Sequence, residues 1–229
     1  MGRIFAAYMN VGRGCVATHV FLESCAKKGV GICFVGEYWV ARRGLGTQSH
    51  PDYVMLGHAT KGTKVVSFVR RDLVDGVELV VATARAVVVE VGGCRVGGVY
   101  GKCGISVHAM RDWVDSMTGW IGGGDWALLG DYNAHHHKWS LDGRSGPGGR
   151  VLAEWVQDRG AEVHFGEGGT FERRRRGGMV QSRIDFVVAS PDSGWIGEAD
   201  DWLLSDHAGI GRSLVVDKLR RVDEREVID

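Results

Sequence analysis

Proline, paired cysteines and long apolar runs are scarce in this chain of 229 residues. Its 3 prolines stand against 36 glycines, which predicts that glycine makes most of the turns. The 5 cysteines are odd in number and none are spaced as Cys-x-x-Cys, which argues against a zinc site and against the disulfide framework of a secreted protein. No apolar run approaches about 18 residues, and no secretory signal pattern opens the chain. We therefore expect an intracellular protein with no membrane partner.

A net charge is also missing, because 28 Lys and Arg residues balance 28 Asp and Glu residues. A protein that holds nucleic acid by electrostatics alone usually carries a basic excess, so the balance argues against that class but leaves room for a local basic groove. Hydrophobic residues make up 44% of the chain, enough for a substantial core. No repeat or Ser/Pro-rich linker divides the sequence. We expect one domain over residues 1–216 and a charged C-terminal tail at 217–229.

Apolar periodicity predicts an alternation of strands and helices along the chain. Strands are predicted at 4–11, 30–35, 65–69, 79–83, 86–91, 95–100, 126–129, 184–189 and 208–216. Helices are predicted at 16–28, 107–121 and 149–159, and the second of these is followed by three successive glycines. The pattern indicates an α/β domain in which many strands are covered by a few helices.

The most informative segment is Gly-Asp-Tyr-Asn-Ala-His-His at 130–136, directly after the apolar strand predicted at 126–129. Open α/β sheets build their sites at strand ends, where loops reach water but the scaffold is rigid. Asp131 and Asn133 are two residues apart, so their side chains can share one small polar target. We expect that target to be an attacking water, with Asp131 taking its proton and Asn133 orienting its oxygen.

Further polar residues lie at or near the ends of other predicted strands. They are Asn10, Glu37, Tyr100, Asp185, Asp206 and His207. Asp185 stands out because it lies in an apolar strand, where burying an unpaired carboxylate costs several kcal/mol. It therefore needs a partner, and a histidine such as His207 would serve.

Taken in order, these residues resemble the motifs of the endonuclease/exonuclease/phosphatase superfamily, which includes DNase I-like and apurinic-site nucleases. The most specific motifs are Gly-Asp-Tyr-Asn-Ala-His-His at 130–136, Ser-Arg-Ile-Asp at 182–185 and Ser-Asp-His at 205–207. The resemblance extends from position 10 to about position 216. It implies a two-sheet β-sandwich flanked by helices, which is the four-layer α/β/β/α arrangement of the DNase I-like fold.

Within that superfamily the chain most resembles the endonuclease domains of non-LTR retrotransposons. Glu-Tyr-Trp at 37–39 resembles their Glu-Pro-Trp, and Asn-Ala-His-His at 133–136 with Trp139 downstream resembles their Asn-Ala-His stretch. Gly-Thr-Phe at 169–171 resembles their Thr-Phe element. We interpret Trp139 itself as a core residue.

Three positions depart from the family pattern. Tyr38 replaces the proline that follows the glutamate, and Tyr100 is followed by Gly-Lys-Cys without the usual prolines. Gly12 stands where some apurinic nucleases have a metal-binding aspartate. This last change disfavours a second metal ion near Asn10 and disfavours a role in DNA repair.

Phosphodiester hydrolysis needs an activated water, an orienting group, a place for developing charge and help for the leaving oxygen. Mg²⁺ prefers carboxylate and amide oxygens, and Mn²⁺ is a possible substitute. We expect Glu37 to be the direct ligand, with Asn10 adjacent and Asp206 assisting. The ion would polarise the phosphate and stabilise the leaving 3′-oxyanion.

The catalytic residues expected beside the metal are Asp131, Asn133, Asp185, His207 and Tyr100. His207 would donate hydrogen bonds to the non-bridging oxygens, and Asp185 would orient the imidazole and keep it cationic. The hydroxyl of Tyr100 would contact the phosphate. Supporting roles are expected for His135, His136, Thr170, Ser182 and Ser205.

The segment 173–183 contains five arginines and no acid. The arginines are Arg173, Arg174, Arg175, Arg176 and Arg183. Because arginine suits phosphates and narrow minor grooves, we expect this segment to be a hairpin or loop that contacts double-stranded DNA. The alternatives are a solvated loop or a localisation signal, and the expected location is nuclear.

Three functions are compatible with the sequence. The first is a Mg²⁺-dependent DNA endonuclease that nicks one strand to leave a 3′-hydroxyl, which primes reverse transcription by a covalently linked reverse transcriptase domain in the full-length protein. The second is a phosphomonoesterase acting on a lipid head group or small molecule. The third is a catalytically dead DNA-binding relic. The arginine-rich segment and the Asn-Ala-His-His stretch favour the first.

Overall fold

The computed structural model describes residues 2–40, 49–57, 59–165, 169–175, 178–191, 196–198 and 210–216. Several residues named above lie outside the described residues: Arg176, Ser205, Asp206, His207 and the tail at 217–229. None of the helices in the described ranges is long and apolar enough to cross a membrane.

The described strands form two six-stranded sheets and a two-stranded hairpin. The strands of the first sheet are β1 (Gly2–Asn10), β2 (Ile32–Gly36), β3 (Tyr53–Leu56), β4 (Val65–Arg70), β13 (Ile196–Glu198) and β14 (Ile210–Val216). Those of the second sheet are β5 (Val77–Ala82), β6 (Ala86–Val91), β7 (Cys94–Tyr100), β8 (Trp126–Asp131), β9 (Glu162–His164) and β12 (Asp185–Ala189). The hairpin consists of β10 (Phe171–Arg175) and β11 (Gly178–Ser182).

Each sheet has one parallel strand pair near its centre. The first sheet has the order β13-β14-β1-β2-β4-β3 with β1 and β2 parallel, and the second has the order β5-β6-β7-β8-β12-β9 with β7 and β8 parallel. Parallel neighbours need a crossover connection, which is usually a helix. The helices α1 (Cys15–Lys27) and α2 (Val107–Ile121) are these crossovers, and α3 (Pro147–Asp158) packs beside α2.

The core has three apolar layers, one between the sheets and one beneath the helices on each outer face. Phe34, Val89 and Leu129 belong to the layer between the sheets. Phe21 and Leu22 of α1 pack against the outer face of the first sheet, and the helices α2 and α3 pack against the second. These layers confirm the four-layer sandwich expected from the sequence.

The helix α2 has the bounds predicted for it, because its sequence signals agree with one another. Ser106 caps it by accepting a hydrogen bond from the backbone N–H of Ala109 at 3.2 Å. Its buried residues recur at helical spacing: Met110, Trp113, Val114, Met117 and Ile121. Gly122 follows with a φ of 65°, a conformation that glycine adopts at low cost.

Sequence analysis missed the short elements. These are β3, β9, β13 and a 3-10 helix at Arg71–Gly76. The strands β9 and β13 have three residues each, too few to establish an alternating pattern. The arginine-rich segment is the hairpin β10–β11, one of the two forms expected for it.

One edge of the sandwich collects the polar residues of the motifs. Asn10 ends β1 beside Gly36, which ends β2. Tyr100 ends β7 beside Asp131, which ends β8 and lies opposite Asp185 at the start of β12. We call this the site edge.

Close packing between the sheets requires glycine at position 98. A Cβ added to Gly98 of β7 would lie 2.6 Å from the Cβ of Phe34 on β2, which is closer than real Cβ contacts allow. We expect Gly98→Ala to lower the free energy of unfolding by about 1–3 kcal/mol, because one sheet must move away from the other. Urea denaturation measures this change. Gly123→Ala is the matched control since nothing lies within 4 Å of its added Cβ, and equal stability of the two variants would contradict the prediction.

Candidate active site

A buried hydrogen bond between Asn10 and Asp131 forms the centre of the site. The Nδ2 group of Asn10 donates to Oδ2 of Asp131 at 3.0 Å, and both residues are 2% exposed. The Oδ1 atom of Asn10 accepts from the backbone N–H of Gly12 at 3.0 Å, which fixes the orientation of the amide. Because Asn10 belongs to the first sheet and Asp131 to the second, this bond joins the two sheets at the site edge.

Asn133 is held beside Asp131 by two hydrogen bonds. Its backbone N–H donates to Oδ1 of Asp131 at 3.0 Å, and its Nδ2 group donates to the carbonyl of Gly101 at 2.9 Å. Each carboxylate oxygen of Asp131 therefore accepts a hydrogen bond from a fixed donor. The bond from the amide nitrogen to Gly101 fixes the orientation of the side chain, and its Oδ1 atom can accept a hydrogen bond from a bound water.

Glu37 and Tyr100 form the second polar pair. The hydroxyl of Tyr100 donates to Oε1 of Glu37 at 2.6 Å, and Nε of Arg13 lies 3.8 Å from Oε2. Burial, and then the hydrogen bond to Glu37, raise the pKa of Tyr100, so its hydroxyl stays protonated at neutral pH. The ammonium of Lys64 lies 5.3 Å from the centroid of the Tyr100 ring, a cation–π distance.

Backbone strain is concentrated at these residues. Among the described residues, the non-glycine residues with positive φ are Arg13 at 60°, Glu37 at 45° and Asn133 at 48°. This conformation is costly for side chains other than glycine and is retained where the surroundings impose it. Each of these residues lies within three residues of the end of a strand of the site edge.

Asp185 lies beneath the site and is fully buried. Thr170 positions Asp185, because the Thr170 hydroxyl accepts hydrogen bonds from the backbone N–H groups of Ile184 and Asp185, both at 3.0 Å. The backbone N–H of Thr170 in turn donates to the carbonyl of Ser182 at 2.8 Å. Thr170 and Ser182 thus connect the base of the hairpin to the start of β12.

Tyr8 lies close to the two aspartates, a position that sequence analysis missed. Burial raises the pKa of Tyr8 most, and the negative charges of Asp131 and Asp185 raise it further. Its hydroxyl also occupies the space that a side chain at Gly36 would need. The signal was available in the sequence, since Tyr8 and Asn10 are two residues apart and share one face of β1.

The histidines after Asn133 have different surroundings. His136 is 6% exposed, and its ring lies 4.9 Å from the ring of Trp139, which is 1% exposed. Trp139 is thus a core residue, as the sequence predicts, and His136 is its buried neighbour, whereas His135 is exposed. Arg183 lies at the hairpin base, with its guanidinium carbon 4.3 Å from the ring centroid of Phe165.

Arg13, Lys64 and Gly101 are further site residues that sequence analysis did not single out. Arg13 is three residues after Asn10, a spacing that carries no recognisable signal by itself. Lys64 reaches the site because β4 pairs with β2, so Lys64 lies beside Glu37. Within the described residues, no three His, Cys, Asp or Glu side chains are grouped closely enough to hold a metal ion by themselves.

The hydroxyl of Thr170 should be required for stability. We expect Thr170→Val to lower the free energy of unfolding by about 1–3 kcal/mol, because two buried backbone N–H groups lose their acceptor. Thr170→Ser keeps the hydroxyl and should retain most of the stability. Denaturant unfolding of both variants tests this, and a valine variant as stable as the wild type would contradict it.

His136 should make stability depend on pH. Burial, and then the positive charges of His137, Lys138 and Arg150, lower the pKa of His136, so the folded state binds fewer protons than the unfolded state. The contribution of His136 to the free energy of unfolding is therefore fully present above its pKa in the unfolded chain, about 6.5, and is lost as the pH falls below that value. We expect His136→Gln to flatten the decline in unfolding free energy between pH 7 and pH 5.

The exposed His108 on α2 provides the control for this measurement. His108→Gln removes one imidazole from an exposed position and so controls for the loss of a histidine by itself. A profile for His136→Gln that falls as steeply as the wild-type profile would contradict the assignment.

Comparisons with known proteins identify the family and the fold. The family model described as endonuclease-reverse transcriptase matches residues 95–211, about half of the chain. No curated protein matches the sequence significantly. The endonuclease domain of TRAS1, a telomere-specific non-LTR retrotransposon, has a similar structure with a TM-score of 0.73 and 20% identity, over 94% of this chain and 100% of that one.

Two further solved structures share the fold. A 3′–5′ exonuclease from Neisseria meningitidis aligns with a TM-score of 0.65 and 19% identity, over 92% of this chain and 99% of that one. An AP endonuclease from Archaeoglobus fulgidus aligns with a TM-score of 0.61 and 14% identity, over 94% of this chain and 100% of that one. The fold is therefore DNase I-like. With the family model extending from β7 to β14, the chain belongs to the endonuclease-reverse transcriptase family.

Proposed function

We propose that this domain is a Mg²⁺-dependent endonuclease that hydrolyses a phosphodiester bond of double-stranded DNA and nicks one strand, leaving a 3′-hydroxyl. The observation that carries the proposal is the buried Asn10–Asp131 pair with Asn133 fixed beside it. This arrangement presents one oriented carboxylate and one amide oxygen at the same point of the site edge. Membership of the endonuclease-reverse transcriptase family supports DNA as the substrate.

The residues present fit a Mg²⁺ ion held mainly by water. Mg²⁺ is commonly bound through one or two carboxylates while it keeps several waters, so a cluster of three acidic side chains is not needed. The carboxylate of Glu37 is 24% exposed, so it can reach an ion at the site edge, and Nε of Arg13 lies 3.8 Å from its Oε2 atom. Glu37 would hold the ion, with Asn10 nearby and Asp206 assisting. The bound ion would supply charge stabilisation at the phosphate and at the leaving oxygen.

Asp131 would act as the general base toward the attacking water. Its carboxylate cannot rotate freely, because Asn10 and Asn133 each donate to one of its oxygens. A base fixed in this way loses little entropy when the water is positioned for attack. The Oδ1 atom of Asn133 would accept a hydrogen bond from the second O–H group of that water and so orient the water for attack.

The phosphate would be held by donors around this water. The hydroxyl of Tyr100 would contact the phosphate by turning its single proton from Oε1 of Glu37 to a phosphate oxygen. We expect His207 to donate to the non-bridging oxygens, with Asp185 orienting its imidazole. A donor aimed at developing charge commonly contributes a factor of about 10²–10³ in rate.

The hairpin β10–β11 would contact the DNA beside the nicked bond. Thr170 and Ser182 anchor its base next to Asp185, so the hairpin begins at the site edge. In a full-length protein that also contains a reverse transcriptase domain, the 3′-hydroxyl would serve as primer. This use of the product implies action in the nucleus.

A nicking assay on supercoiled plasmid tests the proposal. We expect the wild type to produce open circles with Mg²⁺ and none with EDTA. Asp131→Asn and Glu37→Gln should each lower the rate at least about 100-fold, since they remove the base and the metal ligand respectively. Asp142→Asn is the matched control, because Asp142 lies exposed on the loop between Trp139 and α3.

Two results would contradict the proposal. Nicking that survives in both site variants would mean that the catalytic groups lie elsewhere. A folded wild type that does not nick DNA but releases phosphate from inositol phosphates would favour the phosphomonoesterase alternative.

A further inference from the structure

A group of basic side chains surrounds the Glu37–Tyr100 pair on the side away from the hairpin. Four turns meet at this part of the site edge, at residues 11–14, 59–64, 83–86 and 101–105. Their charged residues are all cationic: Arg13, Lys61, Lys64, Arg85 and Lys102. We call these five residues the basic rim.

Hydrogen bonds between backbones make the rim one fixed surface. The backbone N–H of Glu37 donates to the carbonyl of Lys64 at 2.6 Å, and the N–H of Lys64 donates to the carbonyl of Ala84 at 2.6 Å. The N–H of Tyr100 donates to the carbonyl of Arg85 at 2.9 Å. The turns of both sheets are thus bonded to the two residues that border the site, so a partner bound to the rim is held in register with the site.

The rim charges are available to a partner. Lys61, Arg85 and Lys102 are exposed, and Lys64 is half-buried with its ammonium over the Tyr100 ring. Within the described part of the chain, no carboxylate forms an ion pair with any of these four side chains. Unpaired cations gathered at one place attract a polyanion.

The opposite edge of the sandwich carries charges of both signs. Asp72, Asp75 and Asp125 lie there together with Lys27, Lys28, Arg70 and Arg71, and Arg70 forms an ion pair with Asp72.

The order of strands places the rim and the hairpin on opposite sides of the catalytic residues. Along the second sheet, Arg85 precedes β6, Tyr100 ends β7, Asp131 ends β8, and Asp185 opens β12 beside the hairpin. Neighbouring strands are about 4.8 Å apart, so β6 and β12 are separated by about 14 Å. At about 3.4 Å of helix axis per nucleotide, this distance corresponds to about four base pairs.

We propose that the basic rim binds backbone phosphates of duplex DNA a few nucleotides from the nicked bond, while the hairpin contacts the duplex on the other side. The inference rests on the proposed function, since it names the second contact surface of the same substrate. Contacts on both sides of the site would align the strand so that one particular phosphate lies between Glu37 and Asp131.

The triple variant Lys61→Ala, Lys64→Ala and Arg85→Ala tests this proposal. Its binding to a duplex oligonucleotide is measured by fluorescence anisotropy in EDTA at 50–200 mM salt. Each lost phosphate contact reduces the slope of log affinity against log salt by about 0.9, so we expect a reduction of about 2.7. When the salt concentration rises fourfold, the fold-decrease in affinity of the wild type should therefore be about 40 times larger than the fold-decrease for the variant.

A second triple variant controls for the loss of charge alone. Lys27, Lys28 and Arg159 are exposed at the opposite edge, and their replacement by alanine removes the same charge. This variant should keep the wild-type slope. Lys64→Arg keeps the charge at the rim and should also keep the wild-type slope.

The outcomes separate the two proposals. In one outcome, the wild type binds and nicks DNA while the rim variant has the same thermal stability and the same salt slope as the wild type. That result would overturn the proposed role of the rim and leave the proposed function intact. The same slope change in both triple variants would also overturn it, because the effect would then be one of net charge. A folded wild type that neither binds nor nicks DNA would overturn the proposed function and the rim together.

Discussion

The hydrogen bond between Asn10 and Asp131 is the constraint on which the rest of the site depends. It joins the two sheets at the edge where their parallel strands end, and both of its members are almost fully buried. Once these two residues are fixed, strand register positions the others: Glu37 follows the strand beside Asn10, Tyr100 ends the strand beside Asp131, and Asp185 lies opposite it. The active site is thus a consequence of how the two sheets are stacked.

The stacking of the sheets places two aspartate side chains and a buried tyrosine close together, which is electrostatically unfavourable. Asp131 and Asp185 are register partners, so two carboxylates lie near each other at low exposure, and Tyr8 nearby has its pKa raised by both. Arg13, Glu37 and Asn133 add strained backbone at the same edge. The core of three apolar layers offsets these costs, so the fold holds together groups that would not gather by themselves.

Sequence predicts well the features that depend on local order and poorly those that depend on strand pairing. The helix α2 was predicted with its observed bounds because cap, periodicity and C-terminal glycine agree. Asn10, Tyr100 and Asp131 could be found because each ends a strand. Lys64 could not, because it lies beside Glu37 through an antiparallel pairing of β2 with β4 that no local pattern specifies. The three-residue strands β9 and β13 were missed because their existence depends on the neighbours they extend.

The same reasoning applies to charge. A net charge of zero describes the protein as a whole, whereas a phosphate responds to charges within a Debye length, about 8 Å at physiological salt. At that range it experiences the basic rim and is largely screened from the charges of the far edge, whatever their sign. A balanced composition is therefore compatible with local attraction of a polyanion where cations gather on the surface. Here four turns gather the five cations of the rim, and those turns are held together by the backbone hydrogen bonds that also hold Glu37 and Tyr100.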